Sequence, residues 1–183
     1  PLALSRDHCA ALARGGYFAP CSDWPTCMII ALHAYHCLAF NLDAQDVFHH
    51  LLFVPIIAGS HFVWPWGTSS NILAFFISGL PGAIDYALLA AVKSGKCTPL
   101  FEKRINCSIN TWVRAPGMIA YITLTLANRL KPHASVPAPD LMPLWMMLSC
   151  MVLIFFNAGH YGQRVIGNYY LSLSKELRKE GIE

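Results

Sequence analysis

Residues Asn71 to Val92 read NILAFFISGLPGAIDYALLAAV, twenty-two positions with one charged side chain, Asp85. At 1.5 Å per residue a helix of that length extends about 33 Å, enough to cross the ~30 Å hydrocarbon core of a bilayer. The stretch is apolar on every face, which marks a helix in lipid rather than an amphipathic surface helix. Inside it, Gly79-Leu80-Pro81-Gly82 interrupts the helical pattern. A proline withholds one backbone donor and opens the carbonyl four residues earlier, so a kink is expected there. The flanking glycines admit a neighbouring helix or a lipid chain.

Four more apolar blocks lie on either side: Pro25–Leu42, Val47–Trp66, Thr111–Leu130 and Leu141–Tyr161. Each is close to the ~20 residues that a crossing needs. The first and the Thr111–Leu130 block are broken by polar groups. The chain therefore reads as an all-α polytopic transmembrane bundle of about five spans. Residues 1–24 form an extramembrane segment, 25–170 the helical membrane domain and 171–183 a charged tail expected to be a short helix. Composition agrees: 55% of the 183 residues are hydrophobic and 13% charged, against about 25% charged in soluble domains. Mean hydropathy is +0.44. The net charge of +3 is small and dispersed, which argues against nucleic acid as a partner.

The connections read as an acidic turn at Asp43–Asp46, an interfacial turn at Trp64-Pro65-Trp66-Gly67, a basic loop at Lys93–Asn110 and a proline-rich loop at Lys131–Pro139. With five crossings, Lys93, Lys96, Lys103, Arg104, Arg164, Lys175, Arg178 and Lys179 share one side, whereas Arg6, Arg14, Arg129 and Lys131 share the other. The positive-inside rule then puts the C-terminus in the cytosol or the equivalent organellar compartment. The stretch through Asp23 has no cleavable signal pattern, and an opening Pro1 leaves room for a presequence or an earlier helix upstream. Seven cysteines include no CxxC pair. Cys37 and Cys150 sit in apolar blocks as small hydrophobes, and Cys9 would pair with Cys21 in an oxidising compartment.

Ionisable groups inside spans are expensive and mark candidate sites. They are His33 and His36, three apart on one helix face; His49 and His50 at the start of a helix; Asp85; Arg114; and His160, with Asn157 and Arg164 nearby. Most fall in the inner leaflet, where they are expected to line one inward-opening pocket. His61 lies towards the outer side. For Asp85 a structural pair with Arg114 competes with a chemical role, since a buried carboxylate needs a partner.

ALHAYHC at 31–37, then Asp43 and Asp46, then VFHHLLF at 47–53 resembles the TLC-domain family, which includes the ceramide synthases. FFISGLPGAIDY at 75–86 is similar to that family's small-residue and proline break, and Phe155-Phe156-Asn157 to its last helix. The likeness runs from about Pro25 to Tyr170. It implies lipid handling, by acyl transfer or lipid binding, with His49 and His50 as the catalytic pair acting on an acyl thioester. His33, His36, Asp85, Arg114 and His160 would support them, and bound lipid would be the ligand. An imidazole serves as base or nucleophile near neutral pH.

A second reading is a non-catalytic accessory subunit of a large respiratory or photosynthetic membrane complex. Its partners would be other membrane-protein subunits, and its histidines would hold haem or chlorophyll or make buried hydrogen bonds. A histidine-box di-iron enzyme needs roughly eight ligands, and a third box is missing because His133 and His160 stand alone. No metal is assigned, although three or four of these histidines remain a conceivable single-metal set. Without an internal repeat, an inverted-repeat transporter has no support.

Overall fold

A computed structural model describes Phe18 and residues 21–64, 66–130 and 142–182. The Lys131–Pro139 loop, the start of the last block at Leu141, Pro65, His133, Arg6, Arg14 and Cys9 lie outside the described residues. Within them every regular element is helical. We label α1 (Trp24–Ala39), α2 (Ala44–Val63), α3 (Thr68–Lys93), α4 (Pro99–Ile109), α5 (Ala115–Arg129) and α6 (Leu144–Lys179).

Three of these, α2, α3 and α6, are long and apolar enough to cross a membrane. Only 22% of the residues in the most apolar parts of α2 and α3, and 33% in that of α6, are buried within the protein. Much of the remainder is an outward apolar surface, including Leu51, Leu89, Val152 and Phe155, and Leu38 on α1 and Trp112 are exposed in the same way. In water that surface would be a liability; in lipid it is the solvated face. The other two expected crossings are shorter. The 16 residues of α1 extend about 24 Å and the 15 of α5 about 23 Å.

Local chemistry explains the boundaries. α1 begins with Pro25 in its first turn, where a missing N–H is harmless. α2 begins with a capping box: the Asp43 carboxylate accepts the Gln45 and Asp46 amides at 2.8 Å each, and Asp46 accepts the Asp43 amide at 3.4 Å. The acidic turn ahead of the paired histidines is thus a helix start. α3 follows Gly67, whose φ of 55° and ψ of −143° place it where a side chain would be strained. The expected basic loop contains the helix α4, capped by the Thr98 hydroxyl accepting the Phe101 amide and opened by Pro99. The charged tail is no separate short helix: α6 runs unbroken through it for 36 residues. That is about 54 Å, well beyond one bilayer core.

Wide π-turns at Val54–Ala58, Phe75–Gly79 and Asn110–Arg114 each contain or closely precede a proline: Pro55, Pro81 and Pro116. Proline breaks the i to i−4 ladder, and a wider turn absorbs the disruption without ending the helix.

The chain divides into two compact units. The first comprises residues 1–75 and 121–153, the second 76–120 and 154–183. In the first, α1 and α2 form an antiparallel hairpin. His61 near the end of α2 bonds Asp23 at the start of α1 at 2.8 Å. Its core includes Phe53, Ile72, Tyr121 and Cys150, and the Cys150 thiol meets the Ser60 hydroxyl at 3.8 Å. Cys37, by contrast, is exposed on α1. Cys21 accepts an N–H from Asn71 at 3.2 Å, and burial pushes its thiol pKa up. In the second unit, Met118 and Ile154 are fully enclosed. Gly117 lies so close to the Phe76 ring that an added Cβ would come within 2.1 Å of it.

Candidate functional site

In the first unit α1 and α2 bring four histidines together. His33 and His36 come from one face of α1, and His49 and His50 from the first turns of α2. The His33 ring lies 5.3 Å from that of His49, nearly parallel, and 5.1 Å from that of His50, edge-on. His36 and His50 are 6.2 Å apart, and His49 and His50 are 5.6 Å apart. His49 also stacks on Phe53 at 5.0 Å. All four side chains are half-buried.

The hydrogen bonds determine what these rings can do. His33 Nδ1 lies 2.7 Å from the Ile29 carbonyl, and His50 Nδ1 lies 2.7 Å from the Asp46 carbonyl. A carbonyl only accepts, so both Nδ1 atoms carry hydrogen. In the neutral rings Nε2 is then left with a lone pair. The two Nε2 atoms meet different surroundings. That of His33 contacts His49 Nε2 at 3.2 Å, so His49 donates and His33 accepts. That of His50 is buried with no hydrogen-bond partner among the described residues. One basic nitrogen is therefore fixed in tautomer by its own helix and left without a proton to hold. This is the arrangement a general base, an acylated nucleophile or a single axial ligand requires. Among the described residues no three His, Cys, Asp or Glu side chains converge on one point in a way that would hold a metal ion.

Asp85, Arg114 and His160 belong to the second unit, where they form a different arrangement. The expected Asp85–Arg114 pair does not form. Asp85 accepts the Asn106 amide at 2.7 Å, with the buried Glu102 beside it. Asn110 in turn donates to the Asn106 side chain at 2.7 Å and to its carbonyl at 3.0 Å. Arg114 donates through Nη2 to Asn157 and through Nε to the Ile77 carbonyl at 3.1 Å. Ile77 is four residues before Pro81, so the carbonyl that the proline opens is the one the guanidinium takes. His160 stacks on Phe156 of its own helix at 5.2 Å and meets Tyr161 at 5.1 Å.

The sequence reading passed over Glu102, Asn106 and Asn110 by treating their stretch as loop. Their signal was present: Glu102, Asn106, Asn110 and Arg114 recur every four residues, one face of a helix. No family model, curated protein or solved structure matches the chain.

Proposed function

We propose that this is a TLC-like integral membrane protein that handles lipid at the four-histidine site, by acyl transfer or by lipid binding. Five crossings would be made by α1, α2, α3, α5 and α6, with the C-terminus on the cytosolic or organellar-interior side. The observation that carries the reading is the His50 Nε2 lone pair, held by the Asp46 carbonyl on the opposite nitrogen and shut off among apolar helices. Support also comes from the ALHAYHC and VFHHLLF stretches, which supply all four rings.

In acyl transfer His50 Nε2 would accept the proton of a lipid amine or hydroxyl as that group attacks the carbonyl carbon of an acyl thioester. The new C–N or C–O bond forms, the C–S bond breaks, and the proton passes from His50 to the departing thiolate. His49 and His33, joined through their Nε2 atoms, would hold the rings in register, and His36 would close the α1 side. Arg114 and Asp85 are satisfied within their own unit and would act as framework.

The test is acyl transfer from a long-chain acyl thioester to a lipid amine by the purified full chain, comparing wild type with His50→Ala and His49→Ala. Loss of transfer with a folded variant supports catalysis. Unchanged transfer in His50→Ala refutes it. Wild type that retains co-purified lipid but transfers nothing supports the binding arm.

The second reading, an accessory subunit of a large membrane complex, is favoured by the outward apolar surface on α1, α2 and α6. Native electrophoresis after mild extraction separates the two. A band of several hundred kilodaltons, with a visible absorption band lost in His50→Ala, would establish the subunit reading with a pigment or haem on His50.

A further inference from the structure

A second feature of the first unit is independent of the histidine site. A partly open cleft is lined by Phe18, Trp66, Ser69, Thr125, Arg129 and three methionines, Met142, Met147 and Met151. It lies where α2 ends, α3 begins, α5 ends and α6 begins. His61 marks the same end of α2, and His50 is eleven residues, or roughly 16 Å of helix, away.

The polar groups around it are unbalanced. The Ser69 hydroxyl donates to the Trp66 carbonyl at 2.6 Å and the Thr125 hydroxyl to the Tyr121 carbonyl at 2.8 Å. Two donors remain. Trp66 is 5% exposed, and its indole N–H is buried with no acceptor. Arg129 Nε is likewise buried without one, and its guanidinium has no ion pair among the described residues. Leaving a buried donor unmade costs about 1–3 kcal/mol, more for a charged group. Two such donors on one cleft call for an acceptor, and the cation calls for an anionic one. The rest of the lining is apolar, and methionine side chains adapt to an irregular chain. The cleft is open on one side, so a chain would lie along its mouth rather than inside it.

We propose that this cleft binds an acyl-chain amphiphile through its anionic oxygen head. Trp66 Nε1 and the Arg129 guanidinium donate to the oxygens, and the chain lies over Met142, Met147 and Met151. A fatty-acid carboxylate and an anionic phospholipid share that chemistry. A tryptophan at headgroup depth beside an arginine is also what a lipid at the membrane interface would meet.

The experiment uses the purified full chain in a neutral detergent and follows tryptophan fluorescence against three probes. These are oleate brominated across its double bond, its methyl ester, and phosphatidylglycerol with brominated chains. Saturable quenching by the brominated acid or the brominated phosphatidylglycerol is expected. It should fall at least tenfold in affinity in Arg129→Gln, recover in part in Arg129→Lys, and lose most of its amplitude in Trp66→Phe. Quenching by the acid alone identifies a fatty-acid site, and by the phospholipid alone a headgroup-phosphate site. Equal affinity for the methyl ester, or undiminished affinity in Arg129→Gln, overturns the proposal. So does quenching that survives in full in Trp66→Phe. Thermal unfolding of each variant without ligand shows that it is folded. Failure here shows as quenching that Arg129→Gln leaves undiminished, whereas failure of the acyl-transfer reading shows as transfer that His50→Ala leaves unchanged, so the two are distinguishable.

Discussion

Arg114 in the second unit and His50 in the first are both polar side chains set into apolar helices, yet their surroundings treat them differently. Arg114 is 9% exposed and spends its donors on Asn157 and on the carbonyl that Pro81 opens. Asp85 is met by Asn106, and Asn106 by Asn110. The second unit pairs its charges with amides and carbonyls of its own. The first unit fixes the orientation of His50 through one nitrogen and leaves the other without a partner. It leaves the Trp66 and Arg129 donors open as well. Buried polar groups are ordinarily satisfied, and each exception needs an explanation. Satisfied groups in an apolar setting hold helices together; a group that is oriented but unsatisfied is free to meet a substrate.

Several substitutions would break or sharpen this contrast. The largest effect is expected at His50. If the proposed acyl transfer is the function, His50→Ala should reduce it by about 10²–10⁴-fold, the usual contribution of a positioned base, while its unfolding transition stays near that of wild type. A collapse of the fold in this variant would show that the cluster is architecture, like the Arg114 network, and erase the contrast. Arg114→Ala is the mirror experiment. It strands the Ile77 carbonyl and Asn157, and should cost about 3 kcal/mol, in the range for removing one partner of a buried charged network. The measurement is denaturant unfolding in micelles.

Gly117→Ala comes next. Its Cβ would meet the Phe76 ring at 2.1 Å, so overpacking of about 1–3 kcal/mol is expected. Gly159→Ala on α6 has nothing within 4 Å of the added Cβ and should be neutral or slightly stabilising. The smallest effect is at Asp43. Removing the capping box with Asp43→Ala should cost about 1 kcal/mol and Asp43→Asn much less, because asparagine caps as well. A loss of activity in Asp43→Ala far beyond its loss of stability would show that the acidic turn contributes to the chemistry beyond starting α2.

Local features were legible because they depend on residues close in sequence. Apolar blocks of crossing length, the proline break at Gly79–Gly82, and the i, i+3 placement of His33 and His36 follow from helical periodicity alone. Partner choice was not legible. Asp85 and Arg114 have opposite charges and suitable depths, so pairing them was the natural expectation. The intervening α4 instead places Asn106 against Asp85, and the π-turn at Asn110–Arg114 sends Arg114 to Asn157. The low hydropathy of Pro99–Ile109 concealed a helix whose capping residues, Thr98 and Pro99, were visible.

From the sequence alone come the helical class, an apolar surface made for lipid and the histidine content of the first hairpin, since these depend on composition and periodicity. The tertiary structure alone decided which charges are satisfied and which are left open. It gave Asp85 and Arg114 partners within their own unit, freed the His50 Nε2 lone pair, and gathered Trp66 and Arg129 around one cleft. Hydrogen-bond satisfaction depends on distances between residues far apart in the chain, and no local pattern encodes those distances.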